Sequence, residues 1–169
     1  RGIAAIAVVV FHFMECVYAP NENFIGHGFL AVDFFFCLSG FVIGYAYDNR
    51  MAKIGVKSFF IARLIRLQPL VILGSVLGLL GFLFDPYLPA GTGYETGKII
   101  LIFLCSILVI PFPVMEGRYY NQFGFNAPAW SLFWEYVANI VYAYILCKLS
   151  KKILLVLGII AGALLCWVS

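Results

Sequence analysis

Charge is what this chain has least of. Only 11% of its 169 residues are Asp, Glu, Lys or Arg, against about 25% in an ordinary soluble domain. The 64% apolar content and a mean hydropathy of +1.02 point the same way, to an integral membrane protein. A net charge of +3 is too small to suggest a nucleic-acid partner. Patterned cysteine is missing too. Cys16, Cys37, Cys105, Cys147 and Cys166 stand singly in apolar stretches, odd in number and without metal-ligand spacing. They read as small core residues, with no metal site implied. No internal repeat or low-complexity tract is present, and the strand-length alternation of a membrane barrel is absent.

What remains is long apolar runs. Six stand out, at residues 1–18, 29–47, 67–84, 98–115, 128–147 and 153–169. Crossing the hydrocarbon core takes about 20 such residues. Turn-rich breaks separate the runs at Pro20 to Asn23, Asp48 to Lys57, Asp85 to Gly97 and Glu116 to Asn126. The pattern predicts an all-α, multi-span transmembrane helical bundle of about six helices, one incomplete domain over residues 1–169. Because Arg1 already lies inside the first run and Ser169 inside the last, the sequence reads as a fragment of a longer protein. A secretory leader is the rival reading of residues 1–20, but His12 and Glu15 interrupt its core and no clear cleavage site follows.

Lys and Arg set the orientation. Arg50, Lys53, Lys57, Arg63 and Arg66 follow the second run, so this segment and the amino end face the cytoplasm, and residues 19–28 face outward. Strict alternation would then put Lys148, Lys151 and Lys152 outside, against the rule. A re-entrant segment at 98–111, ended by Pro111 and Pro113, is the alternative that removes the conflict.

Polar residues inside apolar runs mark the candidate site. Arg1 and His12 are eleven residues apart, about 16 Å along a helix and nearly on one face, with Ala5 and Val8 between them. His12 is expected near mid-depth, where an ionisable group is costly and faces protein or water. Asp33, Cys37, Gly40 and Gly44 share a face of the second run, and the two glycines form a small-xxx-small pair. This is either a packing seam or, through Asp33, part of a polar site. His27 reads as a solvated loop residue.

Arg63 and Arg66, three apart, open the third run as a short interfacial helix. They are either a cytoplasmic anchor or, with Arg1, a grip on phosphate oxygens. Ser131, Glu135, Asn139 and Tyr142 form one polar stripe on the fifth run, with Pro128 opening its helix and Asn126 as cap. Glu135 is either half of a structural pair with an arginine or an acid/base or orienting group for His12.

Four segments together resemble a known family: RGIAAIAVVVFH, GFLAVDFFFCLSGFVIGYAY, FFIARLIRLQPL and APAWSLFWEYV. They are similar to the integral-membrane acyltransferase type 3 family, in the family's order and over about half the chain. The Arg, ten residues, His spacing falls on Arg1 and His12. Arg-x-x-Arg falls on Arg63 and Arg66, and Trp-Ser-Leu with a following Glu on Trp130, Ser131, Leu132 and Glu135. Many members carry a second acidic residue beside that Glu, where this chain has Tyr136. The family typically has about ten spans.

The resemblance implies transfer of an acyl group, usually acetyl, from cytoplasmic acyl-CoA to a hydroxyl of a carbohydrate or lipid-linked sugar. It further implies a multi-pass protein of the bacterial inner membrane, with no bound cofactor. His12 and Glu135 are the catalytic candidates and Arg1, Arg63 and Arg66 the donor-binding ones. Asp33, Ser39, Trp130 and Ser131 are supporting candidates. A transporter or flippase, or a structural subunit without chemistry, are the rivals. The first would more often show broken helices matched between two halves, which are not seen here.

Overall fold

The computed structural model describes residues 2–19, 22–86, 93–111, 115 and 121–168. Among them the chain is helical, and its only β pairing is an isolated antiparallel bridge between Met115 and Asn121. Six α-helices follow one another: α1 (Gly2–Glu15), α2 (Leu30–Tyr47), α3 (Met51–Leu83), α4 (Thr96–Ile107), α5 (Ala129–Tyr144) and α6 (Lys151–Val168). A short 3-10 turn at Leu146–Lys148 separates the last two. The all-α class and the helix number match the expectation; the lengths do not. Among the described residues, α2 and α3 are long and apolar enough to cross a membrane. α1 and α4 have 14 and 12 residues, about 21 and 18 Å of helix, less than the roughly 30 Å of a hydrocarbon core.

The backbone forms two compact units, Arg1–Ala52 and Lys53–Ser169. In the first, α1 and α2 pack through Phe11, the buried residue of α1. Gly28 makes this possible, since a Cβ there would come within 2.5 Å of the Phe11 Cβ. Phe29 meets the Phe11 ring edge-on, with centroids 6.3 Å apart. The connection turns at Asn23, whose side-chain oxygen accepts from the Ile25 N–H at 3.0 Å, an Asx turn.

The packing seam expected along α2 does not form within this unit. Asp33 and Cys37 are exposed, and a Cβ at Gly40 would meet nothing within 4 Å. α2 instead turns Ser39 and Ile43 inward. The cysteines differ from expectation in the same way: Cys105 is buried and Cys147 half-buried, but Cys16, Cys37 and Cys166 are exposed. Apolar surroundings in sequence do not decide which face of a helix is covered.

Near the start of the second unit, Gly55 breaks the helical geometry of α3 with φ 76° and ψ 159°, a region essentially reserved for glycine. From there α3 continues through Pro69 to Leu83 without the separate interfacial helix expected over 57–69.

α4 stops at Ile107, well short of residue 115. The Ile110 N–H bonds the Cys105 carbonyl at 2.9 Å and the Val109 N–H the Ser106 carbonyl at 3.3 Å, a Schellman ending. Its left-handed position is Val109, φ 56°, where a β-branched residue is strained by roughly 1–3 kcal/mol.

Beyond this end the chain comes back to α4 at Phe123–Phe125. The single Ser106 O–H is shared between the Ile102 and Phe123 carbonyls, at 2.8 and 3.2 Å, and the hydroxyl oxygen accepts from the Phe125 N–H at 3.1 Å. Two buried clusters result: Val71, Val109, Phe123 and Ala129 in one, Ile102, Met115 and Phe125 in the other. Gly78 of α3 lies so close that a Cβ would be 1.7 Å from the Phe125 carbonyl oxygen.

Candidate active site

In the first unit the His12 ring is held by its own helix. His12 Nδ1 lies 2.7 Å from Glu15 Oε2, an i,i+3 pair in which the two side chains are 64% and 49% exposed. The ring also sits beside Phe11, at a centroid distance of 5.2 Å. α1 ends at Glu15, so His12 occupies the last turn of the helix and not the middle of an apolar run. An ionised carboxylate can only accept, so Nδ1 carries a hydrogen, and in the neutral ring the other nitrogen is left as acceptor.

Glu15 was legible as the fourth residue of His-x-x-Glu, a spacing that places both on one helical face. Read only as an interruption of an apolar run, it is passed over. Glu15 also lines a concavity of about 360 Å³ with Phe11, Tyr18, Asn23, Gly26 and Phe29. A second concavity, of about 640 Å³, is bordered by His27, Asn23, Phe24 and Ala31 among others. His27 is thus an exposed turn residue that helps to shape a hollow.

In the second unit the polar residues are better covered. Arg63 is 4% exposed and its guanidinium carbon stands 5.7 Å from the Phe59 ring centroid. That ring packs in turn on Tyr142 of α5, at 5.8 Å. Arg66 is exposed. The two arginines three apart therefore do not share an environment; one turns into the protein and the other away. For Arg63 the simple anchor reading is removed, because a surface anchor is not buried on an aromatic ring.

The α5 stripe is graded from half-buried to buried. Ser131 and Glu135 are half-buried, Tyr142 is 8% exposed, and Asn139 is fully covered. Asn139 donates from its side chain to the Glu135 carbonyl at 2.7 Å, and the Ser131 hydroxyl donates to the Pro128 carbonyl at 2.9 Å. Asn126 does not cap α5, as the sequence had suggested. Its amide reaches across to the Val71 carbonyl of α3 at 3.3 Å, and the helix begins at Pro128 without a side-chain cap.

Gln68, unremarked in sequence, ties three elements together. Its amide nitrogen donates to the Ile107 carbonyl, and its oxygen accepts from the Tyr136 hydroxyl at 3.0 Å. The position where many acyltransferase type 3 members carry a second acid is thus filled here by a phenol engaged with α3.

Of the remaining candidates, Trp130 and Asp33 are exposed and Ser39 is buried. Arg1 lies outside the described residues. His12 belongs to one unit and Glu135 to the other. Among the described residues, no three of His, Cys, Asp and Glu converge as a metal site would require.

These two sets of groups offer an imidazole with one nitrogen held and one open, and cations set among aromatics. The model of the Acyltransferase domain family matches the chain over residues 1–169. The chain belongs to the acyltransferase type 3 family. It is an enzyme of the class that transfers acyl groups other than aminoacyl groups.

Protein 2 in the picA locus of Rhizobium radiobacter is 32% identical over 182 residues, which cover 98% of this chain and 89% of that protein. Two Staphylococcus aureus proteins, from strains COL and MRSA252, each bear the name "Putative O-acetyltransferase". Each is 38% identical over 76 residues, 43% of this chain but only 11% of their own length. No solved structure matches the chain.

Proposed function

We propose that this acyltransferase is a multi-span protein of the bacterial inner membrane that moves an acyl group, acetyl in the first instance, from cytoplasmic acyl-CoA to a hydroxyl of a carbohydrate or lipid-linked sugar. The observation that carries the reading is the His12 ring with Nδ1 on a carboxylate, in a chain whose family transfers acyl groups. The open nitrogen takes the proton of the acceptor hydroxyl as its oxygen bonds to the thioester carbonyl carbon. The C–S bond then breaks, and the leaving thiolate recovers the proton from the imidazolium. General-base help of this kind typically contributes 10²–10⁴ in rate, so positioning supplies much of the remainder.

The concavity beside Glu15 has the composition that suits a sugar: aromatic faces from Phe11, Tyr18 and Phe29, with the Asn23 amide for hydroxyls. Arg66, exposed on α3, is suited to the donor's phosphates. The apolar residues exposed on α2, α3 and α6, among them Phe41, Leu70, Leu77, Ile159 and Leu165, suit contact with lipid. Early termination of α4, followed by backbone that is covered by protein at Phe123–Phe125, favours the re-entrant alternative for 98–111.

Glu135, half-buried on α5, is the second carboxylate put to the test. The test is acyl transfer by the full-length protein in membranes, from labelled acetyl-CoA to an endogenous or added glycolipid. His12→Ala, Glu135→Gln and the double variant are compared. A double variant little worse than the worse single one marks groups acting as a unit. Fully multiplicative losses would separate Glu135 from the chemistry, and normal turnover by His12→Ala would overturn the mechanism.

A further inference from the structure

We infer that Glu15 is the positioning residue of the transfer reaction: its carboxylate selects the tautomer and rotamer of His12. This deepens the reading above and rests on it. Three observations carry the inference. First, the 2.7 Å separation is that of a charge-assisted hydrogen bond, made to Nδ1 in particular. A carboxylate has no hydrogen to give, so the contact requires Nδ1–H, and in the neutral ring it leaves Nε2 unprotonated, the form a general base needs. An imidazole left to itself favours neither the orientation nor this tautomer so strongly.

Second, the contact does little for stability. Both side chains are about half exposed or more, at 64% and 49%, and exposed pairs at this spacing add little to a helix. Its consequence falls on the ring. Third, the partner is in the right place. Glu15 closes α1 one turn after His12, where the helix ends and the chain opens toward the hollow formed by Tyr18, Asn23 and Phe29. The two side chains that touch the His12 ring, Phe11 beside it and Glu15 on Nδ1, both line that hollow.

The chemistry is that of a base oriented by a carboxylate, as in hydrolase triads. Glu15 touches neither donor nor acceptor in this scheme; it acts through His12. The proton passes from the acceptor O–H to Nε2 and from there to the departing thiolate, while Nδ1–H stays on Glu15 throughout.

The experiment uses the full-length protein in lipid nanodiscs with imidazole-¹⁵N-labelled histidine. The His12 signals are those that vanish in His12→Gln. The expected wild-type spectrum of the neutral ring has a protonated Nδ1 and a bare Nε2. In Glu15→Ala the hydrogen moves to Nε2. The kcat of that variant falls by about 10- to 100-fold while KM for acetyl-CoA stays within about two-fold. Glu15→Gln, whose amide oxygen still accepts from Nδ1–H, restores most of the kcat and the wild-type tautomer.

A wild-type tautomer in Glu15→Ala, an unchanged kcat, or a loss confined to KM would each overturn the assignment. Failure of the wider reading looks different: His12→Gln would then retain full transfer whatever Glu15 does. An inactive His12→Gln beside a fully active Glu15→Ala would remove Glu15 alone.

Discussion

The two halves of this chain handle polar groups in opposite ways. In Arg1–Ala52 the polar contact is near the surface: the exposed side chains of His12 and Glu15 meet one turn apart on α1, and α2 buries only Ser39 and Ile43. In Lys53–Ser169 several polar groups are drawn inward and tied to backbone. Ser106 holds the returning chain, Asn126 and Gln68 bond carbonyls on other elements, and Asn139 is fully covered.

Groups that must meet substrate gain from exposure, and a single short contact is enough to aim a ring. Groups that hold irregular backbone must be saturated, because a buried N–H or C=O without a partner costs about 1–3 kcal/mol. Substitutions of exposed polar groups should therefore act on rate or binding, and substitutions of enclosed ones on stability.

The sharpest way to break that contrast is His12→Ala. It should lower acyl transfer by about 10²–10⁴-fold and leave the thermal midpoint in detergent unchanged. A protein that instead unfolds early would make His12 part of the scaffold.

Next come the arginines. Arg66→Ala should weaken acetyl-CoA binding by about 10- to 150-fold, the scale of one charge-assisted hydrogen bond, at unchanged stability. Arg63→Ala should lower the stability by on the order of 2 kcal/mol through lost burial and lost contact with Phe59. Titration calorimetry and thermal unfolding of the pair separate the two effects. Equal behaviour of the two arginines would erase the distinction that burial draws between them.

In the second region, Ser106→Ala leaves the Phe125 N–H without its oxygen and should cost about 1–3 kcal/mol. Gly78→Ala should cost a similar ~1–3 kcal/mol, because the Phe125 carbonyl has to move away. The smallest effect belongs to the first region again. Gly40→Ala meets nothing and should change stability by less than about 0.5 kcal/mol. A larger loss, measured in the same unfolding assay, would show that another helix seats on that face of α2.

How much of this was legible follows from how the elements are encoded. Helix class was, because hydropathy runs and turn clusters are local. The α2 boundaries agree with the expected run to within one residue, since Phe29–Leu30 follows a Gly-rich turn and Asp48–Arg50 ends the apolar stretch. The end of α4 was hidden. Its Schellman position is Val109, whereas a reader of sequence looks for glycine there, and the next stop signal is Pro111. Strain at Val109 is tolerated because Val71, Phe123 and Ala129 bury its side chain. Those contacts come from positions up to 38 residues away and carry no local mark.

The site divides along the same line. Which residues are candidates for chemistry was determined by the sequence itself. A histidine and a glutamate inside apolar runs, and two arginines at the mouth of another, are expensive where they stand and so stand out. Which of them are open and which are enclosed was decided only by tertiary structure. Arg63 and Arg66 differ by three positions and look equivalent on a helical wheel, yet Phe59 and Tyr142 cover one side of α3 and leave the other open. Spacing along a chain specifies direction around a helix. Burial depends on what packs there, which is a property of residues brought together from distant parts of the sequence.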